Sequence, residues 1–249
     1  MTDYDLSDQV VAITGASSGI GEATALACAR AGAAVSLAAR RAERIEVLAK
    51  RINDEGGRAI ALPTDVGHRV QAAAFVERTQ AELGRLDALV NNAGVMLLGP
   101  IDGAPIEEWQ EMIHANVFGV LYCTHAAMPI MREQGSGHIV TVSSVAGRIA
   151  RAGSGVYNLT KFGVGAFSES LRQEGAPLGI RVTLIEPGAV ATELAEHNRP
   201  EIAEQIHKTF ADVTLLEPDD IANAILYALG QPANVSVNEV LVRPSAQAR

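Results

Sequence analysis

The chain has 249 residues, 48% of them hydrophobic, which is enough for one well-packed domain and short for two. A formal net charge of −9 argues against sequence-independent binding to nucleic acid, which requires a basic surface. No apolar run approaches the ~18 to 20 residues that a membrane-spanning helix needs, so we expect no membrane partner.

Cysteine, histidine and the amino terminus exclude further classes. Cys28 and Cys123 lie far apart, and the six histidines form no His-x-x-x-His pair, so we expect neither a disulfide framework nor a metal ion. The acidic start, residues 1–5, lacks the apolar core of a secretion signal. We therefore expect a cytoplasmic protein in a reducing environment.

The first predicted elements are a strand, a glycine-rich turn and a helix. Residues 10–13 are apolar, residues 14–21 hold three glycines in the spacing G-x-x-x-G-x-G, and residues 22–30 are rich in alanine. Such glycines permit a tight turn and a close approach of the backbone to a pyrophosphate, and the helix start offers free N–H groups. The segment predicts a dinucleotide site; the alternative is a glycine turn without a ligand.

The second predicted strand, Ala34–Ala39, is followed by two arginines. An acidic residue near this place would bind the ribose hydroxyls of NAD, whereas Arg40 and Arg41 provide guanidinium groups that can bind a 2′-phosphate. We therefore predict NADP(H) rather than NAD. The alternative is that the arginines are solvated and pair with Glu43 and Glu46, which fits Arg41 better than Arg40.

Strand-like and helical runs alternate along the rest of the chain, which predicts a parallel sheet of seven strands. The least patterned region, residues 189–212, is polar and is predicted to be a mobile lid over the substrate. Further strands are expected at residues 59–62, 86–90, 139–143, 182–185 and 239–242, and helices near 20–31, 41–55, 68–83, 105–132, 156–177 and 218–229.

Tyr157 and Lys161 are four residues apart, so that on a helix they share one face. A neighbouring ammonium group favours the phenolate and lowers the pKa of the phenol toward the range that suits acid–base catalysis. Ser144 follows a predicted strand, at the edge of the sheet where ligands bind. The pattern predicts a proton-transfer site, with Ser143 as a competing hydroxyl and a plain surface pair as the alternative.

Six motifs together resemble the short-chain dehydrogenase/reductase family, in its compact subtype. They are residues 14–21, residues 91–94, Asn116, Ser144, Tyr157 with Lys161, and Pro187-Gly188 followed by Thr192, and they occur in the family order over nearly the whole chain. The resemblance implies a single-domain Rossmann fold, with a doubly wound seven-stranded parallel sheet of order 3-2-1-4-5-6-7 and helices on both faces. It implies hydride transfer between NADP(H) and a carbonyl or secondary alcohol.

The resemblance also implies roles for individual residues. Asn116, Ser144, Tyr157 and Lys161 would be catalytic, with Asn116 bending its helix and Tyr157 acting as general acid and base. The cofactor would contact Gly15, Ser17, Ser18, Gly19, Ile20, Gly21, Arg40, Arg41, Asp65, Val66, Asn91, Ala93, Gly94, Tyr157, Lys161, Pro187, Gly188, Val190 and Thr192. The substrate would contact Met96, Ser144, Val145, Ala146, Tyr157 and Glu193.

Finer features resemble one bacterial branch, which contains NADP-dependent 3-hydroxy acid dehydrogenases and clavulanate dehydrogenase-like reductases. They are Arg40-Arg41, residues 91–100 and the tail 240–246. That likeness implies a homotetramer and a small carbonyl or alcohol substrate, whose carboxylate could meet Arg148 or Arg151. Ser18 departs from the basic residue of many NADP-preferring relatives. The alternative function is a catalytically silent NADP-binding redox sensor or scaffold.

Overall fold

A computed structural model describes residues 4–248 as an alternation of strands and helices. The strands are β1 (Val10–Thr14), β2 (Ala34–Ala39), β3 (Arg58–Pro63), β4 (Ala88–Asn91), β5 (Gly137–Val142), β6 (Ile180–Pro187) and β7 (Glu239–Val242). The helices are α1 (Gly19–Arg30), α2 (Ala42–Asp54), α3 (Arg69–Leu83), α4 (Ile106–Met112), α5 (Gly119–Gln134), α6 (Gly155–Gly175), α7 (Pro200–Thr209) and α8 (Pro218–Leu229).

The seven strands form one parallel sheet in the order β3-β2-β1-β4-β5-β6-β7. This order confirms the predicted doubly wound fold. The chain runs outward from β1 to β3 and then returns to the other side of β1 with β4. The crevice at the carboxyl ends of β1 and β4 is therefore the switch point at which open α/β sheets bind ligands.

Both faces of the sheet are covered, which explains why its central strands β1 and β4 are buried throughout and mostly apolar. Successive side chains of a strand point to opposite faces. Val11 and Ile13 pack in one core with Ile221 of α8, whereas Ala12 between them packs in a second core with Phe75 of α3. The helices on the two faces hold the strand ends in fixed positions.

Two helical features differ from the expectation. The helix expected over residues 105–132 is three segments, because a π-helical stretch, Ile113–Phe118, separates α4 from α5. The region 189–212 contains α7, which begins at Pro200 and buries Ile202 and Ala203. We interpreted this proline as part of an unpatterned lid, although proline is favoured at the first position of a helix.

The structure also bears on the expectations about the cysteines, membrane-spanning helices and the amino terminus. Cys28 and Cys123 are free and buried, and burial raises the pKa of each thiol to about 12, so both are core residues. Between residues 4 and 248, no helix combines the length and hydropathy that crossing a membrane requires. The expectation about secretion falls partly on residues 1–3, which lie outside the described part of the chain.

Candidate active site

A cavity of about 610 Å³ opens along the carboxyl edge of the sheet. Its walls come from the segments that follow β1 through β6, which all end at this edge. The predicted residues that line it are Gly15, Ser17, Ser18, Gly19, Ile20, Arg40, Arg41, Asp65, Val66, Ala93, Gly94, Met96, Ser144, Val145, Ala146, Tyr157, Lys161, Pro187, Gly188, Val190, Thr192 and Glu193.

The glycine turn is held tightly against the loop that follows β4. Gly15 has a φ of +66°, and a Cβ atom there would lie 2.8 Å from the Cα of Ala93. The Thr14 hydroxyl accepts hydrogen bonds from the backbone N–H groups of Asn92 and Ala93, each at 3.0 Å. A Cβ at Gly21 would meet the Gly15 carbonyl oxygen, so Gly21 serves the close packing of α1.

The start of α1 faces the cavity with unsatisfied backbone donors. Ser18 occupies the position before the first helical turn, and its side chain makes no capping hydrogen bond to the helix. The first N–H groups of α1 and the positive end of its dipole therefore face the space beside Ser17 and Ser18. This arrangement suits a phosphate group.

Arg41, rather than Arg40, covers this phosphate-binding turn. Its Nη2 donates to the hydroxyls of Ser17 and Ser18 at 2.8 and 2.7 Å, and its Nε donates to Ser17 at 3.1 Å. Arg40 is 61% exposed and reaches outward to Glu111 at 3.3 Å. Both arginines were expected to bind the 2′-phosphate, with the solvated alternative fitting Arg41 better; in the structure both line the cavity, and it is Arg41 that contacts Ser17 and Ser18.

Glu193 lies beside these arginines. Its carboxylate accepts hydrogen bonds from Arg41 at 2.7 Å and from Arg44 at 2.8 Å, and these two donors hold its pKa at about 2. The contact of Glu193 with substrate stays a prediction, since Glu193 lines the cavity. The alternative paired the arginines with Glu43 and Glu46, whereas here Arg41 pairs with Glu193, because the loop after β6 crosses the glycine turn, where Thr192 packs over Gly19.

Tyr157 and Ser144 form the polar centre of the cavity. Tyr157 lies in the first turn of α6 with 7% of its surface exposed, and it lines the cavity together with Ser144, whose side chain opposes part of the rise in the pKa of the phenol. The Ser144 oxygen accepts from the N–H of Ala146 at 3.1 Å, which fixes its position. Ser143, the competing hydroxyl, instead donates to the backbone oxygen of Lys161 at 3.1 Å.

Lys161 lies under the tyrosine in the same buried site. Its Nζ donates to the backbone oxygen of Val142 at 3.0 Å and lies 5.8 Å from the centroid of the Tyr157 ring. Burial raises the pKa of Tyr157 to about 12 and lowers the pKa of Lys161 to about 8. The net shift in the pKa of Tyr157 is therefore upward, against the expected direction, because burial disfavours the phenolate.

Asn116 connects the π-helical stretch to the site without lining the cavity. Its Oδ1 accepts from the N–H of Val95 at 2.8 Å, and its Nδ2 donates to the Val95 oxygen at 2.9 Å and to Thr160 at 3.2 Å. The asparagine thereby joins the loop after β4 to α6, next to Tyr157 and Lys161. The helix is π-helical around this residue, and the bend expected there stays a prediction.

Two other predicted contacts lie away from the cavity. Asn91 is buried and donates its side-chain N–H to Thr124 at 3.1 Å, so it braces β4 against α5. Arg148 pairs with the buried Glu186 and with Glu239, which removes it from the substrate side. Arg151, by contrast, does line the cavity.

Sequence reasoning missed much of the far wall of the cavity. Most of this wall comes from the region of α7 and from the chain end, and Leu98 and Ile149 add to it from the segments after β4 and β5; its other residues are His197, Ile206, His207, Phe210, Leu215 and Gln247. The spacing of Ile202, Ile206 and Phe210 was a usable sign of an amphipathic helix. No local sequence pattern indicated that Gln247 would reach the cavity, where it accepts a hydrogen bond from the N–H of Ala189 at 2.9 Å.

Fold and site together define a Rossmann-type oxidoreductase with a dinucleotide cradle and a buried tyrosine, lysine and serine. The family model described as short chain dehydrogenase matches residues 9–203. The chain therefore belongs to the short-chain dehydrogenase family.

Curated relatives agree with this assignment. An uncharacterized oxidoreductase of Staphylococcus saprophyticus is 42% identical over 246 residues, which cover 98% of each chain. A glycine betaine reductase of Emericella nidulans is 40% identical over 239 residues, or 96% of this chain and 19% of that much longer one.

Solved structures agree as well. The closed form of a serine dehydrogenase complexed with NADP+ is similar with a TM-score of 0.90 and 33% identity over 97% of each chain. An alcohol dehydrogenase of the archaeon Thermococcus sibiricus, complexed with 5-hydroxy-NADP, has a TM-score of 0.87 and 30% identity, covering 97% of this chain and 98% of that one.

Proposed function

We propose that the protein is an NADP-dependent oxidoreductase that interconverts a carbonyl group and a secondary alcohol, with Tyr157 as general acid and base. The observation that carries the proposal is that Ser144, Tyr157 and Lys161 line the same cavity as the glycine turn and Arg41. When bound, NADP supplies hydride exchange at its nicotinamide ring.

Three observations support NADP as the cofactor. The glycine turn leaves a cradle at the start of α1, Arg41 covers that cradle, and two similar solved structures hold NADP or a derivative. Asp65 and Val66 would border the adenine, and Gly94 the adenosine ribose. Pro187, Gly188, Val190 and Thr192 would hold the carboxamide end, and Lys161 the nicotinamide ribose.

Side chains of the protein itself would bind the substrate oxygen and transfer the proton. Ser144 and Tyr157 would both donate hydrogen bonds to the substrate oxygen and so polarise it. A phenol whose pKa is about 12 is protonated at neutral pH, which is the form that gives a proton in the reducing direction. Lys161, with a pKa of about 8, is largely charged at neutral pH and would stabilise the phenolate that remains.

The cavity supports a small or medium-sized ketone, aldehyde or 3-hydroxy acid as substrate. Met96, Val145 and Ala146 lie on its walls, and α7 adds further apolar residues. Arg151 is the cationic group that could meet a substrate carboxylate. Residues 189–212, which include α7, would act as the lid.

A carbonyl panel tests the proposal. The absorbance of NADPH is followed with ketones, aldehydes and oxo acids, and the same panel is repeated with NADH. We expect turnover of at least one carbonyl class with a preference for NADPH. Tight NADPH binding without turnover of any member would favour the second candidate, a redox sensor or scaffold. That candidate would use the same cradle but leave Tyr157 and Ser144 of the cavity without a role.

The assembly and location follow from the same resemblance. We propose one functional domain of 249 residues, a cytoplasmic location and a homotetramer. Sedimentation velocity tests the assembly: a single species of about four times 26.1 kDa is expected, and a stable monomer would contradict it.

A further inference from the structure

We propose that Glu193 is an internal competitor for the 2′-phosphate of the cofactor. Its carboxylate occupies Arg41 and Arg44, and it must leave them when the phosphate binds. Phosphate recognition would thereby release the first part of the lid, residues 193–197. The inference rests on the proposed use of NADP and adds a specificity-determining residue to it.

The carboxylate contacts the arginines in the way that a phosphate would. One oxygen of Glu193 binds Nη1 of Arg41 and the other binds Nη1 of Arg44, at 2.7 and 2.8 Å. The remaining donors of Arg41 are held by Ser17 and Ser18, which fix the guanidinium group over the glycine turn. Glu193 therefore occupies the Nη1 groups of both arginines, which an arriving anion would otherwise contact.

Its position in the chain links this contact to the lid. Glu193 directly follows Thr192, which packs on Gly19, and precedes the short helical turn Ala195–His197. The next anchor is Asn198, a buried amide that accepts from the N–H of Leu98 at 2.7 Å and donates to the Met96 oxygen at 2.9 Å. Between these anchors lies His197, which lines the cavity. Loss of the ionic anchor would thus free a segment that borders the substrate space.

The interaction energies favour displacement of the Glu193 carboxylate by a phosphate group over a permanent ion pair. The side chains of Arg41, Arg44 and Glu193 are 40%, 49% and 43% exposed, and ion pairs at such positions are weak. A phosphate monoester carries more charge than a carboxylate and offers three acceptor oxygens. Because binding and release are coupled, removing the competitor must increase phosphate affinity.

Calorimetric titration of the full chain measures this coupling. The probes are adenosine 2′,5′-bisphosphate and AMP, which differ by the 2′-phosphate. We expect Glu193→Gln to bind the bisphosphate about three- to tenfold more tightly than wild type, with AMP affinity unchanged. Equal or weaker bisphosphate binding by Glu193→Gln would overturn the inference.

Glu196→Gln is the matched control. It removes one negative charge from the same segment, but Glu196 pairs with His207 at 2.9 Å rather than with the arginines. We expect this variant to bind both probes like wild type. A gain equal to that of Glu193→Gln would mean that general charge, not competition, is responsible, and would overturn the inference.

Hydrogen exchange gives a readout that is independent of affinity. In wild type, the bisphosphate should increase amide exchange in peptides covering residues 193–199, whereas AMP should not. In Glu193→Gln the exchange should be raised without either probe. Unchanged exchange in both proteins contradicts the release of the lid.

The experiment separates two kinds of failure. If wild type does not prefer the bisphosphate to AMP, the proposed use of NADP falls together with the competitor. If wild type shows the preference and Glu193→Gln gains nothing, only the competitor falls.

Discussion

At the scale of single residues, burial decides the ionisation of the two groups at the centre of the site. The sequence spacing predicted that Tyr157 and Lys161 would be neighbours, and the structure brings them together on α6. It did not predict the direction of the shift in the tyrosine pKa, because the burial of Tyr157 depends on Val95 of the loop after β4 and on Met112 of α4. A local charge argument cannot account for desolvation by distant segments.

A spectroscopic titration tests the raised phenol pKa. The tyrosinate absorbance of wild type minus that of Tyr157→Phe should show no step until the pH approaches 12, because burial favours the neutral phenol. Tyr227→Phe, at an exposed position of α8, is the matched control for the loss of one tyrosine. A Tyr157 step near pH 7 would contradict this account and restore the charge argument.

The arginines give a second prediction at this scale. Arg41→Ala should reduce the ratio of kcat/KM for NADPH to that for NADH by about 10- to 100-fold, because charge-assisted hydrogen bonds contribute ~1.5–3 kcal/mol. Arg40→Ala should change the ratio by less than about threefold, since Arg40 points toward Glu111. The reverse ranking of the two variants, in parallel steady-state assays, would show that Arg40 is the phosphate ligand.

At the scale of elements, the local sequence pattern predicted the regular strands and helices but not the irregular segments. Every predicted strand is present with similar bounds, since buried parallel strands are continuous apolar runs. The π-helical stretch was not predicted as such, because the extra residue in its turn is accommodated by the bonds of Asn116 to Val95 and Thr160. Those contacts join distant segments and leave no periodic signal. The helix α7 did have such a signal, which its polar composition obscured.

Asn116→Leu tests how much the hydrogen bonds of Asn116 stabilise the folded protein. The change leaves the backbone N–H and C=O of Val95 without their buried partner, and each unsatisfied group costs ~1–3 kcal/mol. We expect urea denaturation to show a loss of about 2–4 kcal/mol in the free energy of unfolding. His114→Gln, an exposed change on the same π-helical stretch, should stay within about 0.5 kcal/mol. Equal stability of both variants would contradict the bridging role.

At the scale of the whole molecule, the strand order and the location of the cavity were accessible from sequence, and the composition of its far wall was not. The motifs of residues 14–21, Ser144 and Pro187-Gly188 each follow a strand, so a doubly wound sheet brings them to one edge. The lid and the chain end reach the cavity through tertiary contacts, such as that of Gln247 with Ala189. These contacts had no counterpart in local sequence, and the substrate side was accordingly the least complete part of the prediction.

The account's central claim is that the Tyr157 hydroxyl carries the proton in carbonyl reduction. The most direct test compares kcat/KM for the best carbonyl substrate between wild type and Tyr157→Phe, with NADPH affinity measured in both by fluorescence. We predict a fall of about 10²- to 10⁴-fold in kcat/KM while NADPH still binds, and no such fall in Tyr227→Phe. Equal, non-zero turnover by wild type and Tyr157→Phe would contradict the claim.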